Sequence, residues 1–131
     1  MFIDASALCA MLTDEDDARE LLARLQRADI RITSPLAVWE ATVALTRVLH
    51  RTPNEARAEL EGFLLRLRVE VVAVPSDTAG LAIEAFNRFG KGRHPAALNF
   101  GDCFAYAMAR RHAVPLLYKG GDFPLTDIEA G

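Results

Sequence analysis

A chain of 131 residues, 51% of them apolar, with 15 basic and 18 acidic side chains, is long enough to bury roughly two-thirds of its unfolded surface as one domain over 1–131. No run approaches the about 20 apolar residues of a membrane span, and no basic segment followed by an apolar stretch opens the chain, so a soluble cytoplasmic protein is expected. Cys9 and Cys103 lie among apolar residues without CxxC or Cys/His spacing, which predicts reduced core thiols and no zinc site.

In chain order, Phe2 and Ile3 read as a short buried strand ending at Asp4, and Ser6 begins or caps a helix running through Leu12. A second helix is predicted over 14–27, where early acids favour the positive helix end and Leu21, Leu22 and Leu25 form the apolar stripe. Residues 30–33 read as a strand. Ser34 and Pro35 supply a cap and a first-turn proline for a helix to about His50 that is apolar nearly all round. Thr52 and Glu55 have capping-box spacing and start a helix to about Arg68, burying Leu60, Phe63, Leu64 and Leu67. A β-rich run at 69–74 gives way after Pro75 to a helix over 76–89. Residues 90–95 form a basic loop whose glycines are expected to be freely rotating hinges. A helix over 101–111, a strand over 114–118 and a last edge strand near 126–128 complete the pattern. Strands alternating with helices predict an α/β layer fold with a mostly parallel sheet, and sites in such folds gather beyond the carboxyl ends of the strands.

Four acids stand in surroundings unsuited to free surface charges. Asp4 ends an apolar start, Glu40 lies within an apolar helix, Asp102 opens an Ala/aromatic helix, and Asp122 follows a strand and a Gly-Gly turn. Ionised carboxylates are costly in low-dielectric surroundings and repel one another when clustered, and a divalent cation removes both difficulties. Mg²⁺ keeps several waters and needs only two or three carboxylates, and one or two such ions can serve phosphodiester hydrolysis. Each acid also has a plain structural explanation: Asp4 as a helix cap, Glu40 as a partner of Arg47 or another basic group in the core, Asp102 as a first-turn acid, Asp122 as a turn residue. Ser6 is a candidate to fix a carboxylate, and Thr126 and Asp127 to complete the set from the last loop; local capping and a solvent-facing turn explain them as well. Setting the four acids aside leaves 14 acidic against 15 basic residues, so the net charge of −3 does not exclude a nucleic-acid substrate. The three histidines have no Ser/His/Asp spacing that argues for a nucleophilic triad.

Together, residues 1–8, the Glu40 helix, 94–106, 116–123 and 126–128 give the chain an almost full-length resemblance to a PIN-domain ribonuclease of the VapC type, the toxin of a toxin–antitoxin pair. The resemblance implies an α/β fold, a PIN-like three-layer α/β/α sandwich around a short, mostly parallel sheet. It implies that Asp4, Glu40, Asp102 and Asp122 are metal-binding catalytic acids, with Ser6 a supporting hydroxyl and Asp127 an accessory acid. The implied reaction is Mg²⁺- or Mn²⁺-dependent hydrolysis of RNA to a 5′-phosphate and a 3′-hydroxyl. It further implies a homodimer and a cognate VapB-like antitoxin inserting a terminal segment into the acidic groove, whose candidate walls are the helices with Leu8, Leu12, Trp39, Leu60 and Phe63. Gly121 stands where related chains often have Asn, which removes a side-chain contact there.

Two alternatives remain open from sequence. The same acids would serve a DNA or structure-specific nuclease, since RNA selectivity depends on groove contacts and the 2′-hydroxyl. A catalytically inactive PIN-fold protein-binding module is the other. A phosphotransfer domain fits less well: Asp4-Ala5-Ser6 lacks paired acids, and no GxxxxGK[ST] loop is present.

Overall fold

The computed structural model describes residues 1–131. Its elements are β1 (Phe2–Ile3), α1 (Ala5–Leu12), α2 (Ala18–Gln26), β2 (Ile32–Thr33), α3 (Pro35–Val48), α4 (Pro53–Arg66), β3 (Glu70–Val71), α5 (Thr78–Phe89), α6 (Phe100–Arg111), β4 (Leu116–Leu117) and a 3₁₀ turn at Phe123–Leu125. The strands form one all-parallel sheet in the order β3-β2-β1-β4.

Successive strand residues face opposite sides of a sheet, and that alternation divides the core in two. Ile3 and Leu117, paired in register, turn toward the apolar stripes of α1 to α4. Phe2 and Leu116, the adjoining pair, turn with Ile32 toward α5 and α6. The result is a three-layer α/β/α sandwich around a short sheet. Phe2, Ile3, Leu116 and Leu117 are fully buried, and each contributes about 1.5–3 kcal/mol by leaving water. No helix is long and apolar enough to cross a membrane.

Helix starts follow the capping chemistry. Ser34 accepts from the Ala37 N–H at 3.2 Å, and Thr52 and Glu55 form the reciprocal box expected of them. Three local expectations need correction. The second helix begins at Ala18, not near 14: Asp14 adopts a left-handed φ of 53°, and Glu15 and Asp17 are drawn to Lys119. Gly90 is no hinge. Its backbone is extended and bridges to Leu98, and a Cβ there would fall 2.4 Å from the Phe86 carbonyl oxygen, so glycine is needed for close approach. Residues 126–128 form no strand, because the Thr126 hydroxyl donates to the Phe123 carbonyl at 2.7 Å and turns the chain. Contact with the sheet edge comes later, where Leu116 and Ala130 form a parallel bridge.

Candidate active site

The strand order fixes where a site can form. β2 and β3 lie on one side of β1 and β4 on the other, so the sheet reverses direction of growth between β1 and β4. Chains leaving the carboxyl ends of two such strands part around a crevice. Asp4 leaves β1 at this point, and Lys119 to Asp122 follow β4. A cleft of about 390 Å³ opens there, and Asp4, Glu40, Asp102 and Asp122 all line it.

Local structure orients two of these carboxylates. Asp4 caps α1: its Oδ2 accepts from the Ser6 N–H at 3.0 Å and from the Ser6 hydroxyl at 2.5 Å. The Ser6 hydroxyl in turn accepts from the Lys119 N–H at 3.0 Å, which ties the ends of β1 and β4 together. Asp102 belongs to a capping box at the start of α6. Its Oδ2 accepts from the Asn99 N–H at 2.9 Å, and its own N–H donates to Asn99 Oδ1 at 3.0 Å. The plain explanations, Asp4 as a helix cap and Asp102 as a first-turn acid, are therefore correct, and they are compatible with a second use. In each case Oδ2 carries the side-chain hydrogen bond, and capping fixes the direction of the carboxylate.

Glu40 is placed by an absence. A Cβ on Gly101, in the first turn of α6, would fall 2.3 Å from Glu40 Oε2. The missing side chain lets the Glu40 carboxylate lie against that turn, near the positive end of the helix. Arg47 does not pair with it. The basic side chains that form ion pairs take other partners, and none reaches any of the four acids. Lys119 lines the cleft but binds Glu15 and Asp17, the latter at 3.2 Å.

Proton affinity reports the strain of this arrangement. Asp4 is only 5% exposed, and burial raises its pKa above the ordinary carboxylate range despite the bonds from Ser6. Burial also raises Glu40, with Asp4 and Asp102 adding repulsion. Asp102 is raised by burial first, then by Asp4 and Asp122 against the opposing Asn99 bond. Cys9, at the cleft wall, is pushed up to about 11 by burial and by the charges of Asp4, Glu15 and Glu40.

Such a donor set fits a hard divalent cation in charge and in atom type: oxygen ligands, excess negative charge and a cradle kept open by Gly101. The side chains do not by themselves close into a three-ligand cage. Mg²⁺, which retains much of its own water, does not require one.

The PIN domain family profile matches residues 1–129. A VapC ribonuclease of Mycobacterium bovis is 43% identical over 128 residues, covering 98% of this chain and 95% of that protein. A ribonuclease VapC of Mycolicibacterium smegmatis is 43% identical over 130 residues, covering 99% and 98% of the two chains. The chain belongs to the PIN-domain family, among its VapC ribonucleases. The crystal structure of VapC20 from Mycobacterium tuberculosis, described as a sarcin-ricin loop cleaving toxin, superposes with a TM-score of 0.74 at 21% identity. It covers 97% of this chain and 95% of that one, and it shares the fold.

Two residues expected to complete the site of this PIN domain lie elsewhere. Asp127 is bound to Tyr106 and Arg88 and does not line the cleft. Thr126 shapes the turn, donating to the Phe123 carbonyl and accepting from the Ile128 N–H at 3.2 Å. On the helices named as candidate groove walls, Leu8 and Leu60 are fully buried core, whereas Trp39 is 68% exposed. Sequence reasoning also passed over Gly101 and Asn99. The spacing from Asn99 to Asp102 is a legible capping signal; the demand for glycine at 101 arises from another helix and has no local signature.

Proposed function

We propose that this VapC ribonuclease is a toxin-type endonuclease that hydrolyses RNA at the acid cleft, with Mg²⁺ or Mn²⁺ held by Asp4, Glu40, Asp102 and Asp122. The observation that carries this is the convergence of four carboxylates without basic partners on the crevice between β1 and β4. A divalent cation bound there supplies positive charge for the phosphoryl oxygens and for the attacking and departing oxygens. Ser6 holds the Asp4 carboxylate in place, and the Asn99 N–H does the same for Asp102. Gly101 leaves Glu40 its position. Burial and mutual repulsion raise the proton affinities of Asp4, Glu40 and Asp102, and a bound cation would favour their ionised forms.

A VapB-like antitoxin fits the same cleft: a basic terminal segment would meet acids that no side chain of this chain neutralises. Homodimerisation is supported by exposed apolar residues beside the cleft. Trp39 and Phe100 are 68% and 69% exposed and line a groove that shares Glu40 and Asn99 with it. We place this activity in the cytoplasm, where RNA and a co-expressed antitoxin are both at hand.

The test is antitoxin-free protein against a defined RNA pool and a matched single-stranded DNA pool, with Mg²⁺ or Mn²⁺. RNA should be cut to 5′-phosphate and 3′-hydroxyl ends, and Asp4→Asn or Asp102→Asn should slow cleavage at least about 100-fold, ~2.7 kcal/mol of barrier. DNA cleavage of equal rate would favour the broader nuclease, and intact pools with a folded protein would favour a binding module.

A further inference from the structure

The loop carrying Asp122 has two glycines without packed neighbours on one side and a buried anchor on the other. Upstream lie Gly120, at a φ of +108°, and Gly121, and a Cβ added at either would meet nothing within 4 Å. Between Lys119, whose N–H donates to the Ser6 hydroxyl, and Asp122, the two glycines bring no side chain to pack. Downstream, Phe123 is buried and its ring lies 5.0 Å from that of Tyr118. A 3₁₀ turn follows, in which the Leu125 N–H donates to the Asp122 carbonyl at 3.3 Å and the Thr126 N–H to the Phe123 carbonyl at 2.9 Å.

That turn leads to Asp127, whose two oxygens are both engaged. Oδ1 accepts from the Tyr106 hydroxyl at 2.6 Å, and Oδ2 from the Arg88 guanidinium at 2.7 Å. Tyr106 is buried and stands about one helical turn beyond Asp102 on α6. Arg88 comes from α5 and stacks on the Phe89 ring at 4.6 Å. Burial, and then the bond to Asp127, push the Tyr106 hydroxyl up to about 12, so it remains a donor at neutral pH.

We propose that Tyr106, Asp127 and Arg88 form a clamp that sets the position of Asp122 relative to Asp102, acting as positioning residues outside the acid cleft. Because the glycine pair contributes no side-chain packing, this clamp, with the Phe123 anchor, is the means by which the Asp122 carboxylate is held near α6. The clamp rests on the assignment of Asp122 to the metal-binding acids given above.

Tyr106→Phe keeps the ring and removes one hydroxyl; Asp127→Asn keeps the shape and removes the ion pair. Glu61→Gln, in the exposed Arg57–Glu61 pair, is the control and should behave as the unmodified protein. Calorimetric titration with Mn²⁺ should give binding weaker by roughly 10–100-fold in Tyr106→Phe and Asp127→Asn. Amide exchange should accelerate over 120–125 while the middle of α6 keeps its protection. RNA cleavage should lose kcat with KM changed by less than about twofold, since the clamp does not touch substrate. In an Asp122→Asn background, Tyr106→Phe should weaken Mn²⁺ binding no further, because the two changes act through one group. Unchanged Mn²⁺ affinity and exchange in both clamp variants would overturn the clamp, as would losses that multiply in full with Asp122→Asn. Should Tyr106→Phe fail to fold, Asp127→Asn carries the same comparison. A normal Asp122→Asn would instead remove Asp122 from the metal-binding acids, and the purpose of the clamp with it.

Discussion

At the scale of single residues, the acids serve two purposes with one carboxylate. Asp4 and Asp102 each use an oxygen to close a helix N-terminus, work that stabilises a helix by about 1 kcal/mol wherever it occurs. The bond also fixes the rotamer that turns the carboxylate to the cleft. Capping and active-site use were alternatives in the sequence, and in the fold they coincide. Gly101 shows the opposite economy, since its value lies in the space left for Glu40. Gly101→Ala should leave the fold intact, because alanine suits a helix and the obstacle is the mobile end of a side chain. The displaced Glu40 should nonetheless lower cleavage by roughly 10–100-fold, by analogy with loss of a group that orients a metal ligand. Circular dichroism with cleavage assays on the same preparation checks both halves, and full activity would refute the spatial role of Gly101.

At the scale of elements, two capping boxes of the same design can be compared. The box at Thr52 starts α4 on an exposed surface; the box at Asn99 starts α6 beside the cleft. Thr52→Ala and Asn99→Ala should each cost about 0.5–2 kcal/mol of stability, lowering the melting temperature by several degrees. Only Asn99→Ala should reduce cleavage at a temperature where both variants remain folded, because only there does the cap residue orient Asp102. Equal activities would mean that the Asn99 cap is structural alone. The helices themselves were legible: α3 and α4 begin at the prolines that follow their capping residues, and α5 and α6 begin within two residues of the expected starts at 76 and 101. The start of α2 was not, because Lys119, a residue far along the chain, competes for Glu15 and Asp17.

At the scale of the whole molecule, folding gathers negative charge, and stability must depend on pH and cations. Asp4, Glu40 and Asp102 bind protons more tightly when folded than when unfolded. From about pH 4 upward the folded state therefore holds more protons than the unfolded one, so stability falls as pH rises until the raised values are passed. Asp127, lowered first by its bond from Tyr106, has the opposite sign: its contribution is present above the ordinary Asp range and is lost as pH falls through its lowered value. Metal-free protein should thus melt at a lower temperature at about pH 8 than at about pH 5, and Mn²⁺ should restore several degrees at the higher pH. Calorimetric scans at the two values, with and without Mn²⁺, test this. A melting temperature that rises with pH in the absence of metal would contradict the charge cluster.

The sequence alone determined the helices, the strand-helix alternation and the four isolated acids, because capping, apolar periodicity and the cost of buried charge are local properties that each residue carries wherever the chain runs. Only the tertiary structure decided which carboxylates share a cleft, that Asp127 belongs to Tyr106 and Arg88, and that residue 101 must be glycine. Those facts depend on distances between segments more than a hundred residues apart in some cases, which are set when the reversal of strand order between β1 and β4 brings their carboxyl ends together.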